Sequence, residues 1–539
     1  MKKIFNILPL FATMLIAGCT NEDFTETQTP ASETIPVEIM DESSRTILAD
    51  GNVVNWTDGD EVMLENAGVH AVYKIVNPSG YKAELMKKTA SDAEIVIDEN
   101  LKAYYPASSY VSENTINMPL EQTYSVVDGK QKIDGAQMSG TYNKWAKRVE
   151  FRNLCAMLKI NVKGCGVIRG IEVSSTVGSL SGNCTIANNT ATVTSEGISK
   201  ARLRIAQGVN TADGADFYIA VPVSTGDGYE GLQVKLINSQ DFESSAQMAK
   251  ENATIKRNTI YSLKFNENVS FGLNCVDLGI KGKDGNTLYF APKNVGAIFD
   301  DDFGDYFCWA ATVPLYNSCA WQVTKSGSDY QWTATFDWRT DVPAPSAGYD
   351  QRNAPYYSYT DNYTKYTQKN SKLDETDDAA TQKYGSNYRM PYESEITSLK
   401  NGCYLVYVKD YKNTHKAGFI IYKLKEGKTA GVVMNGYTPD PDYDVNTDTH
   451  IFIPFAGFVT GQTIDTARPN TGAYFWMNET KDSQASGRNY WFSGSNISCN
   501  DNRGRGYGFS IRGVTSTNIV NQTFSTSFAT LSDENFNAE

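Results

Sequence analysis

The sequence predicts a mostly β protein, with β-sandwich lobes in its N-terminal half and an α+β domain in its C-terminal half. Apolar and polar residues alternate over 158–163 and over 232–236, which is the period of a strand with one buried face. Clusters of Gly, Asn and Asp punctuate these runs, and the first half has no long helical periodicity. At 539 residues the chain exceeds what one core supports, so we predict two domains or more.

The N-terminus predicts an exported lipoprotein. Lys2 and Lys3 precede an apolar run over 4–17, and two small residues stand directly before Cys19. This pattern is typical of an export signal over 1–18, because the run is too short to span a bilayer of about 30 Å. Small residues before a cysteine match the lipobox, so we expect acyl chains on Cys19, each buried methylene contributing about 0.8 kcal/mol. The alternative is a plain signal peptide with a chance cysteine.

The segment over 19–34 is polar and acidic and predicts a tether. Acidic residues directly after a lipidated cysteine resemble the surface-export signal of lipoproteins in the Bacteroidota. The prediction is therefore a chain held on the cell outer membrane through lipid and exposed to the exterior.

Composition and charge exclude several kinds of partner. The net charge is −13 and the chain has no basic block, which excludes nucleic acid and anionic membrane surfaces as partners. The 32 Tyr, 23 Phe and 8 Trp suit binding surfaces and β-sheets equally well. The nine cysteines define no clear disulfide framework, and the absence of C-x-x-C with only three histidines argues against a structural zinc site.

An ordered series of motifs over 35–267 resembles the fimbrillin, or Mfa-like, family of fimbrial subunits. The motifs are Ser44-Arg45-Thr46, Val54-Asn55-Trp56-Thr57-Asp58-Gly59-Asp60-Glu61-Val62, Tyr104-Tyr105-Pro106-Ala107, the strand over 151–162, Phe217-Tyr218-Ile219-Ala220-Val221-Pro222 and Arg257-Asn258-Thr259-Ile260-Tyr261. The resemblance implies paired β-sandwich lobes and assembly with other fimbrial subunits by strand exchange, which completes an open sheet edge. It also implies trimming by an arginine-specific protease, for which Arg45 is the candidate. Alternatively, Arg45 is a solvated residue of the first strand.

A second series over 272–516 resembles the Fibrobacter succinogenes major paralogous domain, a module with C-type-lectin-like and formylglycine-generating-enzyme-like features. Its motifs include Ala291-Pro292-Lys293-Asn294-Val295-Gly296-Ala297, Phe303-Gly304-Asp305-Tyr306-Phe307-Cys308-Trp309, Tyr388-Arg389-Met390-Pro391, Tyr474-Phe475-Trp476 and Gly508-Phe509-Ser510-Ile511-Arg512-Gly513-Val514. We expect a helix after Pro391 that ends near Gly402. The chain departs from the family at Tyr392, where relatives carry Thr or Ser, and after Trp476, where they carry serines.

The lectin-like resemblance directs attention to the polar and aromatic residues near the end of this domain. The candidate ligand-binding residues are Trp476, Asn478, Glu479, Tyr490, Trp491, Asn500, Asp501 and Arg503. Aromatic faces stack on sugars while amides and carboxylates bind hydroxyls, so the residue types suit a glycan. They suit ordinary core and turn positions as well.

Cofactors are not expected, with calcium as the one candidate. Asp440, Asp442 and Asp444 place carboxylates at alternating positions, and calcium takes six to eight oxygen ligands. The loop lacks the glycine and closing glutamate of an EF-hand, so a solvated acidic loop is the alternative.

Catalytic signatures are missing from the sequence. It contains no G-x-S-x-G and no H-E-x-x-H, and its last four cysteines, Cys308, Cys319, Cys403 and Cys499, lack the context of a formylglycine-generating enzyme. We therefore expect no enzyme.

Together these features predict a surface fimbrial subunit, at the tip or in an accessory position, that mediates adhesion. Its C-terminal domain would bind a host or bacterial glycan or a protein ligand, and its polar tail would cover 517–539. The alternatives are a glycan-capture lipoprotein that never joins a fimbria and a surface enzyme of the formylglycine-generating type.

Overall fold

The computed structural model describes residues 34–40, 55–89, 92–127, 130–133, 136–194, 197–226, 228–244, 246–265, 269–316, 321–326, 329–334, 351–412, 414–437, 445–460, 469–481, 486–517 and 537–538. Strands dominate them, and the helices are short, which confirms the mostly β prediction. No described helix has the length and apolar character needed to cross a bilayer.

The first strands in chain order are β1 (Ile35–Ile39), β2 (Glu61–Asn66), β3 (Val69–Ser79), β4 (Lys82–Lys87), β5 (Lys102–Tyr105), β6 (Tyr110–Ser112), β7 (Thr115–Met118), β8 (Glu121–Val127), β9 (Lys130–Ile133), β10 (Met138–Asn143) and β11 (Arg148–Asn153). Next come β12 (Ala156–Val162), β13 (Val167–Ser174), β14 (Gly182–Ala187), β15 (Thr190–Val193), β16 (Lys200–Asn210), β17 (Ala215–Val221), β18 (Tyr229–Asn238), β19 (Glu243–Ser244), β20 (Gln247–Ala253), β21 (Ile260–Phe265) and β22 (Phe271–Gly272).

The C-terminal region holds β23 (Val276–Lys281), β24 (Thr287–Asn294), β25 (Trp321–Ser326), β26 (Asp329–Ala334), β27 (Tyr357–Ser358), β28 (Asn362–Tyr363), β29 (Cys403–Val408), β30 (Gly418–Leu424), β31 (Gly431–Val433), β32 (Val445–Pro454), β33 (Ala473–Thr480), β34 (Ser486–Ser493), β35 (Asn496–Gly504), β36 (Arg512–Thr515) and β37 (Asn537–Ala538). Its helices are α1 (Ala379–Tyr384) and α2 (Glu393–Gly402), and short 3-10 turns cover Ala107–Ser109, Gln351–Asn353 and Glu375–Asp377.

The first lobe is a closed barrel with strand order β1-β11-β10-β5-β2-β3-β4, in which β4 pairs again with β1. We call it the barrel lobe. Its core contains Val62, Leu64, Ile75, Leu85 and Phe151, all fully buried. Seven strands closing on themselves leave no open sheet edge, which removes the site at which another chain could pair.

The second lobe is a sandwich of two sheets. One has the order β17-β12-β21, and the other runs β22-β19-β18-β13-β16-β8-β9 with β20 on β18. The alternation predicted over 158–163 appears in β12, where Leu158, Ile160 and Val162 are buried in the shared core. The strand β37 adds two residues to the edge strand β21, pairing Ala538 with Tyr261.

Three sheets of the C-terminal region, β23-β24-β36, β31-β29-β30-β32 and β33-β34-β35, surround one apolar core, and the described part of this region also contains the two-stranded sheets β25-β26 and β27-β28. The helix predicted after Pro391 is confirmed as α2. The backbone N–H of Tyr392, the residue directly before α2, donates to the Glu395 carboxylate at 2.9 Å, which is the glutamate half of a capping box.

An acidic loop of the C-terminal region lies on the sandwich lobe. The Asp301 carboxylate pairs with Arg202 on β16 and with Lys416 at 2.8 Å, and Asp302 pairs with Arg204 at 2.6 Å. All five side chains are at least largely buried. Buried charges are costly unless paired, so these pairs hold the loop in one position. We call these five residues the interlobe ion cluster.

Apolar contacts surround the interlobe ion cluster. The guanidinium groups of Arg202 and Arg204 lie 4.6 and 5.2 Å from the ring centre of Phe299. Ile298 packs so close to β13 that a Cβ on Gly170 would lie 2.6 Å from its Cγ2 atom. Only a glycine leaves room for this approach, so a side chain at position 170 would push the C-terminal region away from the sandwich.

The carboxylates at this contact predict acid sensitivity. Burial by itself raises the pKa of Glu172, but the charges of Arg202 and Lys200 outweigh it and lower the pKa to about 2. The pKa values of Asp301 and Asp302 are also lowered, since the neighbouring cations outweigh burial. Because the pKa values of these carboxyl groups are lower in the folded state than in the unfolded state, their ion pairs stabilise the fold fully above the unfolded-state pKa values, near pH 4. This stabilisation is lost as the pH falls towards about 2.

We expect Asp301→Asn to lower the free energy of unfolding at pH 7 by about 1.5–3 kcal/mol, because it removes a buried charged partner from Arg202 and Lys416, which keep only Glu172 and Asp302. The variant should also lose less stability than the parent between about pH 4 and pH 2. Urea unfolding across this range measures both effects. Asp213→Asn, at an exposed position, is the control and should change the free energy by less than about 0.5 kcal/mol. Equal effects of the two substitutions would contradict the importance of the pair.

Candidate functional site

The strand β1 closes the barrel although it is first in the chain. It runs parallel to β11, with Val37 opposite Val149, and antiparallel to β4, with Val37 opposite Ala83. Its side chains Ile35, Val37 and Ile39 are buried in the barrel core. The strand thus fills a slot between two strands that would otherwise be open edges.

Polar contacts add to this seating. Glu38 is 7 % exposed, and its carboxylate pairs with Arg148 on β11 at 2.6 Å. The backbone N–H of Met40 donates to the carbonyl of Phe151 at 2.8 Å. The chain then enters 41–54, which contains Arg45 and lies outside the described residues. A cut within that segment would leave β1 held by non-covalent contacts alone.

The loss of β1 would have two physical consequences. Burial of a Val or Ile side chain contributes about 1.5–3 kcal/mol, so three of them contribute about 4–9 kcal/mol. The backbone N–H and C=O groups of β4 and β11 that face β1 would also lose their partners. The vacant slot would therefore have a strong preference for another strand of the same apolar pattern.

Two of the predicted ligand residues are core residues. Trp476 is fully buried, donates from Nε1 to the carbonyl of Phe307 at 2.7 Å and stacks on Phe509 at 4.4 Å. Tyr490 is 1 % exposed and stacks on Phe475 at 5.0 Å. Neither ring presents a face to solvent.

A second group of predicted residues meets at a buried arginine, Arg488. The Arg488 guanidinium donates to Asn500 at 2.9 Å, pairs with Glu393 and lies 3.7 Å from the Glu479 carboxylate. Glu479 also pairs with Lys283 at 3.3 Å. These contacts join the sheet β33-β34-β35 to α2 through Glu393.

Asn478 lies apart from this cluster. It is 4 % exposed, and its amide Nδ2 donates to the Asp378 carboxylate at 2.6 Å. Its backbone N–H donates to the carbonyl of Pro391 at 3.0 Å. Asn478 therefore joins β33 to the segments that precede α1 and α2.

The remaining predicted residues, Trp491, Asp501 and Arg503, lie on a partly exposed aromatic surface. The Trp491 ring stacks on Tyr474 with centres 6.1 Å apart and planes 22° apart. Asp501 and Arg503 form an ion pair at 3.7 Å, with Arg503 46 % exposed. Burial raises the pKa of Tyr474, Arg503 lowers it and Asp501 raises it, so both charges act on this ring.

Two further rings extend this surface. Phe458 makes an edge contact with Tyr474 at 4.9 Å, and Tyr507 lies 5.7 Å from Phe458. We call Tyr474, Trp491, Phe458, Tyr507 and the Asp501–Arg503 pair the aromatic surface. Half-exposed rings beside a charged pair combine apolar contact area with hydrogen-bonding groups, which is the composition of a binding surface.

Sequence reasoning missed Tyr474 and Arg488. Tyr474 stands two positions before Trp476 on β33, but only its register opposite Trp491 brings the two rings together. The sequence around Arg488 gave no indication that this residue is buried, because a lone arginine in a strand usually faces solvent. Its partners, Asn370, Glu393 and Asn500, come from three distant segments.

Several predicted sites lie outside the described residues. They are Cys19, Arg45 and the calcium candidates Asp440, Asp442 and Asp444. Among the residues that the structure does describe, no group of three or more His, Cys, Asp or Glu side chains could hold a metal ion.

The described cysteines of the C-terminal region are buried or half-buried. Burial raises the pKa of Cys275 and that of Cys403 to about 12, and it also raises the pKa of Cys499. Because the thiolate is the nucleophilic form, these thiols are poor nucleophiles at neutral pH.

No family model and no curated protein matches the chain. Solved structures that resemble it include a candidate cell adhesion protein from Bacteroides uniformis, at 12 % identity over 45 % of this chain and 96 % of that chain, with a TM-score of 0.28. The tip fimbrial protein Mfa3 from Porphyromonas gingivalis, with a C-terminal truncation, matches at 10 % identity over 44 % and 98 %, with a TM-score of 0.19. A fimbrial protein from Bacteroides ovatus matches at 10 % identity over 89 % and 97 %, with a TM-score of 0.20. Likenesses at these TM-scores carry no argument, so the function is inferred from the chain's own residues.

Proposed function

We propose that this chain is a surface-anchored fimbrial subunit that mediates adhesion, assembling through its barrel lobe and binding a ligand through its C-terminal region. The observation that carries the proposal is the seating of β1 between β4 and β11, which makes the closed barrel dependent on a replaceable strand. A strand from another subunit with the same apolar pattern would restore the closed barrel. Cleavage at Arg45 would release β1 and open the slot.

A terminal or accessory position in the fimbria fits this arrangement. The strand β37 pairs with β21 of its own chain, so in this state it is not offered to a neighbouring subunit. The C-terminal region, held by the interlobe ion cluster, would stand at the end of the assembly as the ligand-binding part.

The assembly step can be tested with a peptide of residues 34–40. A chain that starts at residue 46 should bind the labelled peptide, whereas the chain that keeps β1 should not, because its slot is filled. A peptide with Val37→Asp is the matched control and should fail to bind, since it would bury a carboxylate in an apolar core. Fluorescence anisotropy measures the binding. Equal binding of the two peptides, or none to the shortened chain, would refute strand replacement.

The aromatic surface is the proposed contact for a glycan or protein ligand. We expect Trp491→Ala and Tyr474→Ala each to lower affinity about tenfold or more, because central aromatic side chains contribute above about 1.4 kcal/mol. Binding to a glycan and host-protein array measures this. Trp145→Ala, which removes an 88 % exposed tryptophan on the barrel lobe, is the control and should bind as the parent does. Unchanged binding of both variants would rule this surface out.

The aromatic surface equally supports a second candidate function, a glycan-capture lipoprotein that never joins a fimbria. The two candidate functions differ only in what happens to the barrel lobe. In a fimbrial subunit β1 is replaced, whereas in a glycan-capture lipoprotein β1 stays in place. Detection of β1 in the mature surface protein, with no assembled oligomers, would favour the second candidate.

The proposed location is the outer membrane, with lipid on Cys19 and the protein exposed to the exterior. Cys19→Ala should release the protein from the membrane fraction, because the acylated residue is gone. Fractionation followed by protease digestion of intact cells measures anchoring and exposure. Membrane attachment that persists in Cys19→Ala would refute lipid anchoring.

We propose that the C-terminal region binds a ligand and does not catalyse a reaction. Among the described cysteines, Cys275 and Cys403 support this, because burial raises the pKa of both thiols and a formylglycine-generating site needs reactive cysteines.

A further inference from the structure

Four exposed apolar side chains lie at one end of the barrel lobe. Trp145 is 88 % exposed, Val96 66 %, Val69 42 % and Ile97 37 %. A single exposed apolar side chain is ordinary, but several at one end of a domain are typical of a contact surface. We call these four residues the apolar end.

The strand registers bring these residues to the same end. Trp145 is in the turn between β10 and β11, which pair at Asn143 and Arg148. Val69 begins β3, opposite Asn66 at the end of β2. Both β2 and β10 pair with β5, so the turn and the start of β3 lie on either side of the beginning of β5.

The loop before β5 carries Val96 and Ile97 and is bonded on both sides. Asn66 Nδ2 donates to the carbonyl of Val96 at 2.8 Å, and Lys144 pairs with Glu99 at 2.5 Å. The apolar end is therefore formed by three adjacent segments that are held together by these contacts.

Glutamates beside the apolar end have lysine partners. Glu94 pairs with Lys87 at 2.8 Å, and Glu113 pairs with Lys102. Lys147, in the same turn as the tryptophan, is exposed. Paired charges give no strong attraction to an anionic surface, so the apolar side chains favour a partner with an uncharged, apolar layer.

The chain enters the barrel lobe at this same end. β1 runs parallel to β11, with Val37 opposite Val149, so Ile35 begins β1 beside the turn that carries Trp145. Cys19, the proposed site of acylation, precedes Ile35 by sixteen residues. Sixteen residues span at most about 55 Å. Acyl chains on Cys19 would therefore keep the apolar end within reach of a bilayer.

We infer that the apolar end docks on the lipid bilayer that holds Cys19, with Trp145 at the level of the headgroups. Tryptophan suits this layer because its ring is apolar while its N–H can bond to polar groups. Lys144 and Lys147 extend their ammonium groups towards lipid phosphates while their stems cover apolar surface. The inference rests on the proposed lipid anchor and deepens it. It concerns the chain before any cut at Arg45, because that cut would separate the barrel from Cys19.

The test holds the chain on vesicles without acylation. Residues 20–539 with an N-terminal histidine tag are bound to phosphatidylcholine vesicles that contain a nickel-chelating lipid and brominated acyl chains. Bromine quenches tryptophan emission at close range, so the emission of Trp145 should be quenched. Trp145→Ala should lower the quenched part of the emission about threefold or more, because the ring at the bilayer is gone. Absence of quenching in the parent would overturn the inference.

A second variant keeps Trp145 as the reporter. Val96→Asp should lower quenching about threefold or more, because docking would take a carboxylate out of water. Val313→Asp, at a 52 % exposed position of the C-terminal region, is the matched control and should be quenched as the parent is. Both positions are exposed, so the melting temperatures should stay within about 2 °C of the parent. Parental quenching in Val96→Asp would overturn the inference.

Sedimentation of the untethered chain tests a second copy of this chain as the occupant. Dimers that form with rising concentration and are lost in Val96→Asp, together with absent quenching, would assign the apolar end to a second copy and overturn the inference.

The histidine tag replaces the acyl chains, so failure of docking and failure of the lipid anchor are distinguishable. Absent quenching, beside release of Cys19→Ala from cell membranes, would refute docking alone. Quenching that depends on Val96, beside membrane attachment that persists in Cys19→Ala, would support docking and refute the lipid anchor alone.

Discussion

The pairing of buried charges between the sandwich lobe and the C-terminal region is the constraint on which the rest of the structure depends. Asp301 and Asp302 are separated from Arg202 and Arg204 by about a hundred residues of chain, yet all four side chains are largely buried. Such burial is favourable only when every charge meets its partner in good geometry, so the contact tolerates few alternative arrangements. The same requirement makes the two parts of the molecule one body rather than two modules on a loose linker.

That rigidity connects the two proposed activities. If the barrel lobe accepts a strand in an assembly, a load on a bound ligand would pass through the interlobe ion cluster to the sandwich lobe and from there to the barrel lobe. Ile298 and Phe299 add apolar packing beside the ion pairs. This packing requires glycine at position 170, because a side chain there would collide with Ile298.

Within the C-terminal region, buried polar groups and partly exposed rings have different roles. Arg488 has partners on three segments, so it orders the sheet that carries the aromatic surface. Asn478, on the same strand as Tyr474, donates to the buried Asp378 carboxylate and so joins β33 to the segment before α1. Trp491 and Tyr474 expose ring surface that the fold itself does not use.

The sequence by itself determined the local structure: the alternation in β12, the turn clusters and the helix after Pro391, because each depends on neighbours a few residues apart. Only the tertiary structure decided which aromatic residues face solvent. Trp476 and Trp491 look alike in the sequence, but the packing of whole sheets buries one and half-exposes the other. The parallel seating of β1 and the partners of Arg202 were equally hidden, since pairing between distant segments leaves no periodic trace in either one.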